Sequence, residues 1–294
     1  MRFLKGLSVS PSQPELSLLG LNELLSLDRW ALERRSRALA QTAFLGYQVT
    51  LCRVLGRYKL YVPTTDIGFG AHVMLDGFWE PWLTVFMAQR VKSGMHVVDA
   101  GANHGYYTVL FADIVGANGR VAAVEANPNT AKFLRQTVHV NGFDDRVRVI
   151  ENALGDTDGQ TFTFHTPTDE PKNARIIASS AAGSADTVQV TSARLDTLLA
   201  EWPTVDFIKM DVEGAEEATL AGASGLIEKH RPELLLEFNS HRCVDAPGLL
   251  DRLQALYGHA PRHVHHDSAL VAVSREELLN RDNQEDWLLS FKRA

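Results

Sequence analysis

Cysteine is scarce in this sequence, which contains only Cys52 and Cys243. Two cysteines cannot form a disulfide framework, and neither belongs to a C-x-x-C pair of the kind found in redox and zinc sites. Long apolar runs are also missing, because charge or glycine interrupts each run well before the ~20 residues that a membrane span needs. The first residues lack the apolar core of a signal peptide. We therefore expect a soluble, cytoplasmic protein with reduced thiols and no membrane span.

The sequence has no excess of basic residues. Its 29 Lys and Arg face 36 Asp and Glu, which gives a formal net charge of -7. Non-specific binding to nucleic acid depends on basic patches that displace counterions, so we expect no nucleic-acid partner. A length of 294 residues suits one large domain with an extension, or at most two domains.

The N-terminal 78 residues follow a different pattern from the rest. Apolar residues recur at helical spacing from about Leu16 to Leu55. A short extended piece follows at Tyr58–Pro63, and residues 64–78 contain three glycines and are predicted to form a loop. The pattern predicts a mainly helical N-terminal extension over residues 1–78, whose helices are candidates for pairing two subunits in a homodimer.

From residue 95 onward, short apolar strands alternate with helices, and a helix that starts at Glu80-Pro81 precedes them. Alternation of this kind predicts parallel strands joined by crossover helices. The segments His263–Val273 and Trp287–Phe291 are predicted to be a closing pair of strands. We therefore predict one Rossmann-like α/β domain over residues 79–294, with a mostly parallel, doubly wound sheet and an antiparallel closing strand.

The turn after the first strand of this domain lacks the G-x-G-x-x-G pattern of dinucleotide-binding folds, since Asn103 and Tyr106 stand where two glycines would be needed. Asp99, Gly101 and Gly105 instead form a D-x-G-x-x-x-G loop. Glycines there allow a tight turn and close approach to a ligand. A carboxylate suits a cationic ligand group better than a pyrophosphate, so the loop favours S-adenosylmethionine over NAD.

Two further marks follow at later strand ends. Glu125 lies 20 residues past Gly105, where a carboxylate can accept both hydroxyls of a ribose. Asn152 and Ala153 follow the third strand and could contact an adenine edge. Each mark alone could be an ordinary turn or surface residue, but their order at successive strand ends favours a nucleoside site. The G-x-S-x-G nucleophile elbow and the Walker loop are both absent.

Four stretches of the sequence together resemble the FkbM family of methyltransferases: Asp99–Tyr106, Val124–Asn129, Asn152–Asp156 and Ile208–Glu216. Glu80-Pro81 looks like the entry helix of that family, and the resemblance covers roughly residues 78–275. It implies a Rossmann-like class I methyltransferase fold, S-adenosylmethionine as donor, and a hydroxyl of a sugar, glycan or natural product as acceptor. The predicted cofactor contacts are Glu80, Asp99, Gly101, Ala102, Asn103, Gly105, Glu125, Ala126, Asn152, Ala153 and Asp211.

Asp211, Glu213 and Glu237 are the candidate catalytic residues, because they follow or end two neighbouring strands. We place action as a general base first. Together with Asn239 they look similar to the acidic magnesium site of catechol-type O-methyltransferases, although we predict no metal ligands. Structural roles also remain open, with Glu213 and Glu216 favouring a helix N-terminus. His263, His265 and His266 are interpreted as a solvated edge strand.

We therefore expect an S-adenosylmethionine-dependent O-methyltransferase acting on a small-molecule or saccharide hydroxyl. The alternatives are an N-methyltransferase that uses the same donor and a cofactor-binding protein without turnover.

Overall fold

A computed structural model describes residues 17–165, 175–177, 187–280, 282 and 286–292. The helices are α1 Leu21–Ser26, α2 Arg29–Leu39, α3 Phe69–Asp76, α4 Pro81–Arg90, α5 Tyr106–Val115, α6 Pro128–Val140, α7 Leu195–Leu198, α8 Glu216–Ala221, α9 Ser224–His230, α10 Ala246–Tyr257 and α11 Arg275–Leu279. The strands are β1 Thr42–Gly46, β2 Val49–Val54, β3 Tyr58–Pro63, β4 His96–Ala100, β5 Arg120–Val124, β6 Val147–Ile150, β7 Ala153–Leu154, β8 Thr161–His165, β9 Arg175–Ile177, β10 Thr187–Ala193, β11 Phe207–Met210, β12 Glu233–Phe238, β13 Arg262–Val264, β14 Leu270–Ala272 and β15 Trp287–Phe291.

The central sheet has eight strands in the order β14-β13-β15-β12-β11-β4-β5-β6. The five strands from β12 to β6 pair in parallel, and β15 pairs antiparallel with β12. This confirms the predicted mostly parallel sheet with an antiparallel closing strand. The segment predicted as one strand at His263–Val273 is instead a hairpin of β13 and β14, which turns through Ser268 at a φ of 70°.

Helices cover both faces of this sheet, so its central strands are buried. All four residues of β11 are buried, and so are four of the five in β4. One apolar cluster includes Val97 of β4 and Phe207 of β11, and the other includes their neighbours Val98 and Ile208. Because side chains alternate between the faces of a strand, a strand buried on both faces needs a continuous apolar run, which is the pattern seen in the sequence.

The N-terminal region differs from its prediction. Helical structure ends at Leu39, and the helix predicted onward to Leu55 is wrong because residues 42–63 form the three-stranded antiparallel sheet β1-β2-β3. Burial in β2 alternates with a period of two, as a strand with one buried face requires. The predicted loop at 64–78 contains α3, which ends at Gly77 with a φ of 70°.

The N-terminal sheet packs against α5 and α6. Asn141 at the end of α6 accepts a hydrogen bond from the Lys59 amide (3.0 Å) and donates one to the Lys59 carbonyl (2.7 Å). The hydroxyl of Thr137 accepts from the Tyr61 amide at 3.1 Å. Apolar residues on both sides of residue 78 belong to one cluster, so the hydrophobic core is continuous across the predicted domain boundary.

A second sheet, in the order β7-β10-β8-β9, follows β6. Strand β10 pairs in parallel with β7 and antiparallel with β8. No helix in the described part of the chain is long and apolar enough to cross a bilayer.

Candidate active site

The turn from β4 into α5 is shaped by two glycines with positive φ. Gly101 has a φ of 78°, and a Cβ there would overlap the carbonyl oxygen of Asp211. Gly105 has a φ of 96°, and a Cβ there would lie 2.7 Å from Cδ1 of Leu134 on α6. The first glycine therefore lets the turn lie against the end of β11, and the second lets α5 start close to α6.

Glu125, directly after β5, is held in place by backbone amides. Its two carboxylate oxygens accept hydrogen bonds from the amides of Asn103 and Asn127, each at 2.9 Å. Burial raises the pKa of Glu125 to about 7, although these two hydrogen bonds oppose the rise. A carboxylate oxygen has two lone pairs, so both oxygens can still accept from a ligand hydroxyl.

Lys209 contacts three parts of the site, although no pattern in the sequence was used to predict it as a site residue. Its buried ammonium donates to the carbonyl of Gly101 at 2.9 Å and lies 3.3 Å from Asp211 and 3.7 Å from Asp99. Burial alone would lower the pKa of Lys209, but the charges of Asp211 and Asp99 outweigh it and raise that pKa above its usual range. Lys209 therefore stays charged and partly neutralises both carboxylates.

Asp99 lies beneath the turn. It is fully buried, its Oδ2 accepts from the hydroxyl of Thr108 at 2.6 Å, and it lines neither of the two cavities described below. Burial raises the pKa of Asp99, and the charge of Lys209 opposes the rise. The structure therefore places Asp99 as a support for the turn.

The loop after β11 presents Glu213 to the site. Glu216 folds this loop by accepting from the amides of Val212 and Gly214, both at 3.0 Å. Glu213 has a φ of 53°, and about a third of its side chain is exposed. Burial, together with the charge of Asp211, raises the pKa of Glu213 to about 7.

A first cavity of about 280 Å³ opens at the carboxyl ends of β4, β5, β6 and β11. Nine of the predicted site residues line it: Gly101, Ala102, Asn103, Glu125, Ala126, Asn152, Ala153, Asp211 and Glu213. Asp99 and Gly105 lie outside its lining, and Glu80 and Glu237 line a second cavity instead. The structure thus collects most, but not all, of the predicted cofactor contacts in one place.

The second cavity, of about 450 Å³, adjoins the first. Phe69, Trp79, Asn103, Asp211 and Glu213 line both cavities. A molecule in the first cavity and a molecule in the second would therefore meet beside Asp211 and Glu213.

Arg242 is the centre of an ion cluster in the second cavity. Its guanidinium lies 3.0 Å from Glu237, 3.4 Å from Asp286 and 3.5 Å from Glu213. Burial and the charges of Asp211 and Glu213 raise the pKa of Glu237 well above its usual range. Glu237 also makes the shortest of these ion pairs with Arg242, which leaves it less available than Glu213 to accept a proton.

Asn239 does not join a set of metal ligands. Its amide donates to Asp286 at 2.8 Å, while Glu237 pairs with Arg242. Within the described residues, no group of three His, Cys, Asp or Glu side chains is arranged to hold a metal ion.

Phe69 and Trp79 form an aromatic wall shared by the two cavities, and neither was predicted as a site residue from the sequence. Phe69 stacks on the fully buried His104 at 5.6 Å between ring centroids, and Trp79 packs edge-on against Phe69 at 5.4 Å. Burial lowers the pKa of His104 to about 3, so this imidazole is neutral and supports the wall. His263 and His266, interpreted above as a solvated strand, line the second cavity.

Glu80 connects the entry helix to the site. It precedes α4 at a φ of 38° and accepts a hydrogen bond from the hydroxyl of Tyr107 at 2.7 Å. The Lys209 ammonium lies 5.6 Å from the ring of Tyr107. Glu80 lines the second cavity, and this hydrogen bond fixes its carboxylate against Tyr107, which lines the first.

The strand order, the antiparallel β15 and a cavity at the ends of β4 and β5 define the fold of class I methyltransferases. A sequence profile of the methyltransferase FkbM domain matches residues 99–259, more than half of the chain. The chain belongs to the FkbM methyltransferase family.

Known proteins similar to this chain are also methyltransferases. A protein-L-isoaspartate O-methyltransferase of Aeropyrum pernix is 39% identical over 90 residues, which is 31% of this chain and 32% of that protein. Its counterpart in Methanopyrus kandleri is 36% identical over 72 residues, covering 24% and 32%. The chain thus spans about a third of the length of these relatives. The crystal structure of methyltransferase FkbM from Methylobacillus flagellatus is 20% identical, covers 68% of this chain and 44% of that one, and has a TM-score of 0.42.

The family and the fold imply S-adenosylmethionine as cofactor, and the first cavity fits that molecule. Glu125 lines this cavity, and each of its oxygens keeps a lone pair that can accept from a ligand hydroxyl. Asn103 lines both cavities, and its buried Oδ1 has no hydrogen-bond partner within the described structure.

Proposed function

We propose that the chain transfers the methyl group of S-adenosylmethionine to a hydroxyl of a sugar, glycan or other natural product. The observation that carries this proposal is the junction of the two cavities at Asp211 and Glu213. It gives the donor and the acceptor separate spaces with a common wall, as an in-line displacement at a methyl carbon requires.

The second cavity supports a hydroxylated acceptor. Carboxylates line it on several sides and can accept hydrogen bonds from hydroxyl groups, while Trp79, Trp82 and Trp287 offer flat apolar surfaces. A saccharide ring presents both kinds of surface, since its edge is polar and its faces are apolar.

In this mechanism S-adenosylmethionine, when bound, supplies a methyl group on a sulfonium leaving group. Glu125 holds the ribose hydroxyls, and Asn103 accepts from the ligand at the junction. Lys209 stays protonated and holds Asp211 in place through their ion pair. Glu213 accepts the proton of the acceptor hydroxyl while the oxygen of that hydroxyl bonds to the methyl carbon. A pKa of about 7 suits a general base at neutral pH.

The experiment that tests this function measures binding and product together. Calorimetry of the full chain with S-adenosylmethionine and with NADH should show binding of the first only. Mass spectrometry of the reaction with a panel of saccharides should then find S-adenosylhomocysteine and a base-stable methyl ether.

Methyl transfer to nitrogen would support the N-methyltransferase alternative. Tight cofactor binding without S-adenosylhomocysteine formation would support a protein without turnover. Binding of NADH alone would overturn the assignment to S-adenosylmethionine.

A further inference from the structure

The second cavity contains more negative charge than its surroundings balance. Five carboxylates line it, from Glu80, Asp211, Glu213, Glu237 and Asp286. Arg242 is the only lysine or arginine among its described lining residues, and three of these carboxylates already surround its guanidinium. Even when Lys209 beneath Asp211 is counted, acidic groups exceed basic ones by five to two.

The pKa shifts in the cavity agree with this imbalance. The pKa of Glu213 is raised to about 7 and that of Glu237 is raised above its usual range, first because of burial and then because of neighbouring carboxylates. Crowded carboxylates repel one another, so a ligand that brings its own cation would relieve this repulsion.

Aromatic rings lie beside this charge. Trp287 follows Asp286 directly and lines the cavity, and Trp82 lines it together with His266, whose ring is 4.7 Å away. Carboxylates next to tryptophan faces form the environment that recognises an organic ammonium, through ion pairing and cation–π attraction. A carboxylate or phosphate on an acceptor would instead be repelled.

We propose that the acceptor is a hydroxylated amine such as an amino sugar, whose ammonium group binds between Glu237, Asp286 and Trp287. These three residues line the second cavity but not the first, so the ammonium lies on the side away from the methyl donor. A hydroxyl of the same molecule then faces Asp211 and Glu213. This inference rests on the proposed function and narrows its class of acceptor.

The test uses three sugars that share a pyranose ring and differ in charge. They are D-glucosamine, which carries an ammonium, N-acetyl-D-glucosamine, which is neutral, and D-glucuronic acid, which carries a carboxylate. Calorimetry of the full chain saturated with S-adenosylhomocysteine, at pH 7 and low ionic strength, should give glucosamine an affinity at least tenfold above both others. Higher salt should reduce this preference.

Two variants test whether the charge of Asp286 causes the preference for glucosamine. Asp286→Asn keeps an oxygen that can accept from Asn239 and removes one charge, so the preference for glucosamine should fall to threefold or less. Asp144→Asn, an exposed change near α6, should leave the preference unchanged.

Glucosamine binding should also release protons, which calorimetry in buffers of different ionisation enthalpy detects, while N-acetylglucosamine should release none. The imidazoles of His263 and His266 line the cavity too.

The outcomes separate this inference from the proposed function. If S-adenosylhomocysteine does not bind, the proposed function fails. If it binds, but glucosamine binds no better than either other sugar or does not bind, only the cationic acceptor is overturned. A preference for glucosamine that survives Asp286→Asn would also overturn it, because the charge would then lie elsewhere.

Discussion

At the scale of single residues, the acidic side chains of the site differ in what their oxygens contact. Asp99 and Glu216 point theirs at the protein and hold the turn and the loop. Asp211 and Glu213 face the two cavities, and Asp211 is already paired with Lys209. Glu213 is therefore the carboxylate best placed to accept a proton.

Removing the carboxylate of Glu213 should slow turnover without weakening the binding of the methyl donor. We expect Glu213→Gln to lower kcat by about 10²–10⁴-fold, the usual contribution of a general base, with donor affinity changed by less than about threefold. In the unaltered chain kcat should rise with pH through about 7, because Glu213 must lose its proton to act. That rise should disappear in Glu213→Gln, as measured by steady-state rates from pH 5.5 to 9.

The control for this variant is Glu276→Gln, an exposed change on α11, which should leave both the rate and its pH profile as they were. An unchanged kcat in Glu213→Gln would remove Glu213 from the mechanism and return attention to Asp211.

The turn can be tested with a matched pair of glycines. Gly101 and Gly142 have φ values of 78° and 73°, but a Cβ on Gly142 meets nothing within 4 Å. Gly142→Ala should therefore cost only the strain of positive φ, about 1 kcal/mol. Gly101→Ala should cost at least about 2 kcal/mol more, because its methyl group overlaps the backbone of Asp211. Urea unfolding measures both, and equal losses would show that the close approach is not needed.

At the scale of elements, a charged contact anchors the N-terminal sheet to α5. Asp113 of α5 accepts from the Arg57 guanidinium at 2.7 Å and from the Tyr58 hydroxyl at 2.9 Å. Both donors stand at the turn between β2 and β3. Together with Asn141 on α6, this contact fixes the sheet on the helices that carry the glycine turn.

Loss of the contacts made by Asp113 should lower the stability of the fold. We expect Asp113→Ala to lower the free energy of unfolding by about 2–3 kcal/mol, because it leaves two half-buried or buried donors without their partner. The exposed Asp144→Ala should change it by less than about 0.5 kcal/mol. Chemical denaturation provides the comparison, and similar losses in both variants would contradict the anchoring role.

The sequence predicted the central sheet well because its strands are buried on both faces and therefore appear as continuous apolar runs, as at Val97-Val98 and Leu234-Leu236. It failed in the N-terminal region, where leucines of α1 and α2 lead directly into β1 and β2 and the change from helical to alternating spacing is gradual. Of the missed site residues, Lys209 alone left a signal, as a charged residue inside a buried strand.

The second cavity could not be predicted in the same way. Glu80, His263 and Trp287 are far apart in the chain and come together only through packing of α4 against the closing strands. No local spacing records such a contact.

At the scale of the whole molecule, the first cavity draws on the ends of four strands of the central sheet, so ligand binding should stabilise the fold as a unit. A homodimer through α1 and α2 and a cytoplasmic location stay predictions, and light scattering of the full chain would test the first.

Donor binding should raise the melting temperature of the full chain. At S-adenosylhomocysteine concentrations near 100 times Kd, linkage predicts about 2.7 kcal/mol of added stability, or roughly 5 °C or more. Glu125→Ala should reduce this shift at the same concentration, since it removes the predicted ribose acceptor, whereas NADH should give no shift. Differential scanning fluorimetry measures both, and an equal shift in Glu125→Ala would contradict the role of Glu125.

The two cavities have largely separate walls, and eight of the residues that line only the second lie between positions 237 and 288. A directed-evolution library confined to those eight positions could direct the protein to new acceptors while the predicted donor contacts, Glu80 included, stay unchanged. A screen of this library would then report changes in acceptor preference, because the residues predicted to bind the donor would be the same in every variant.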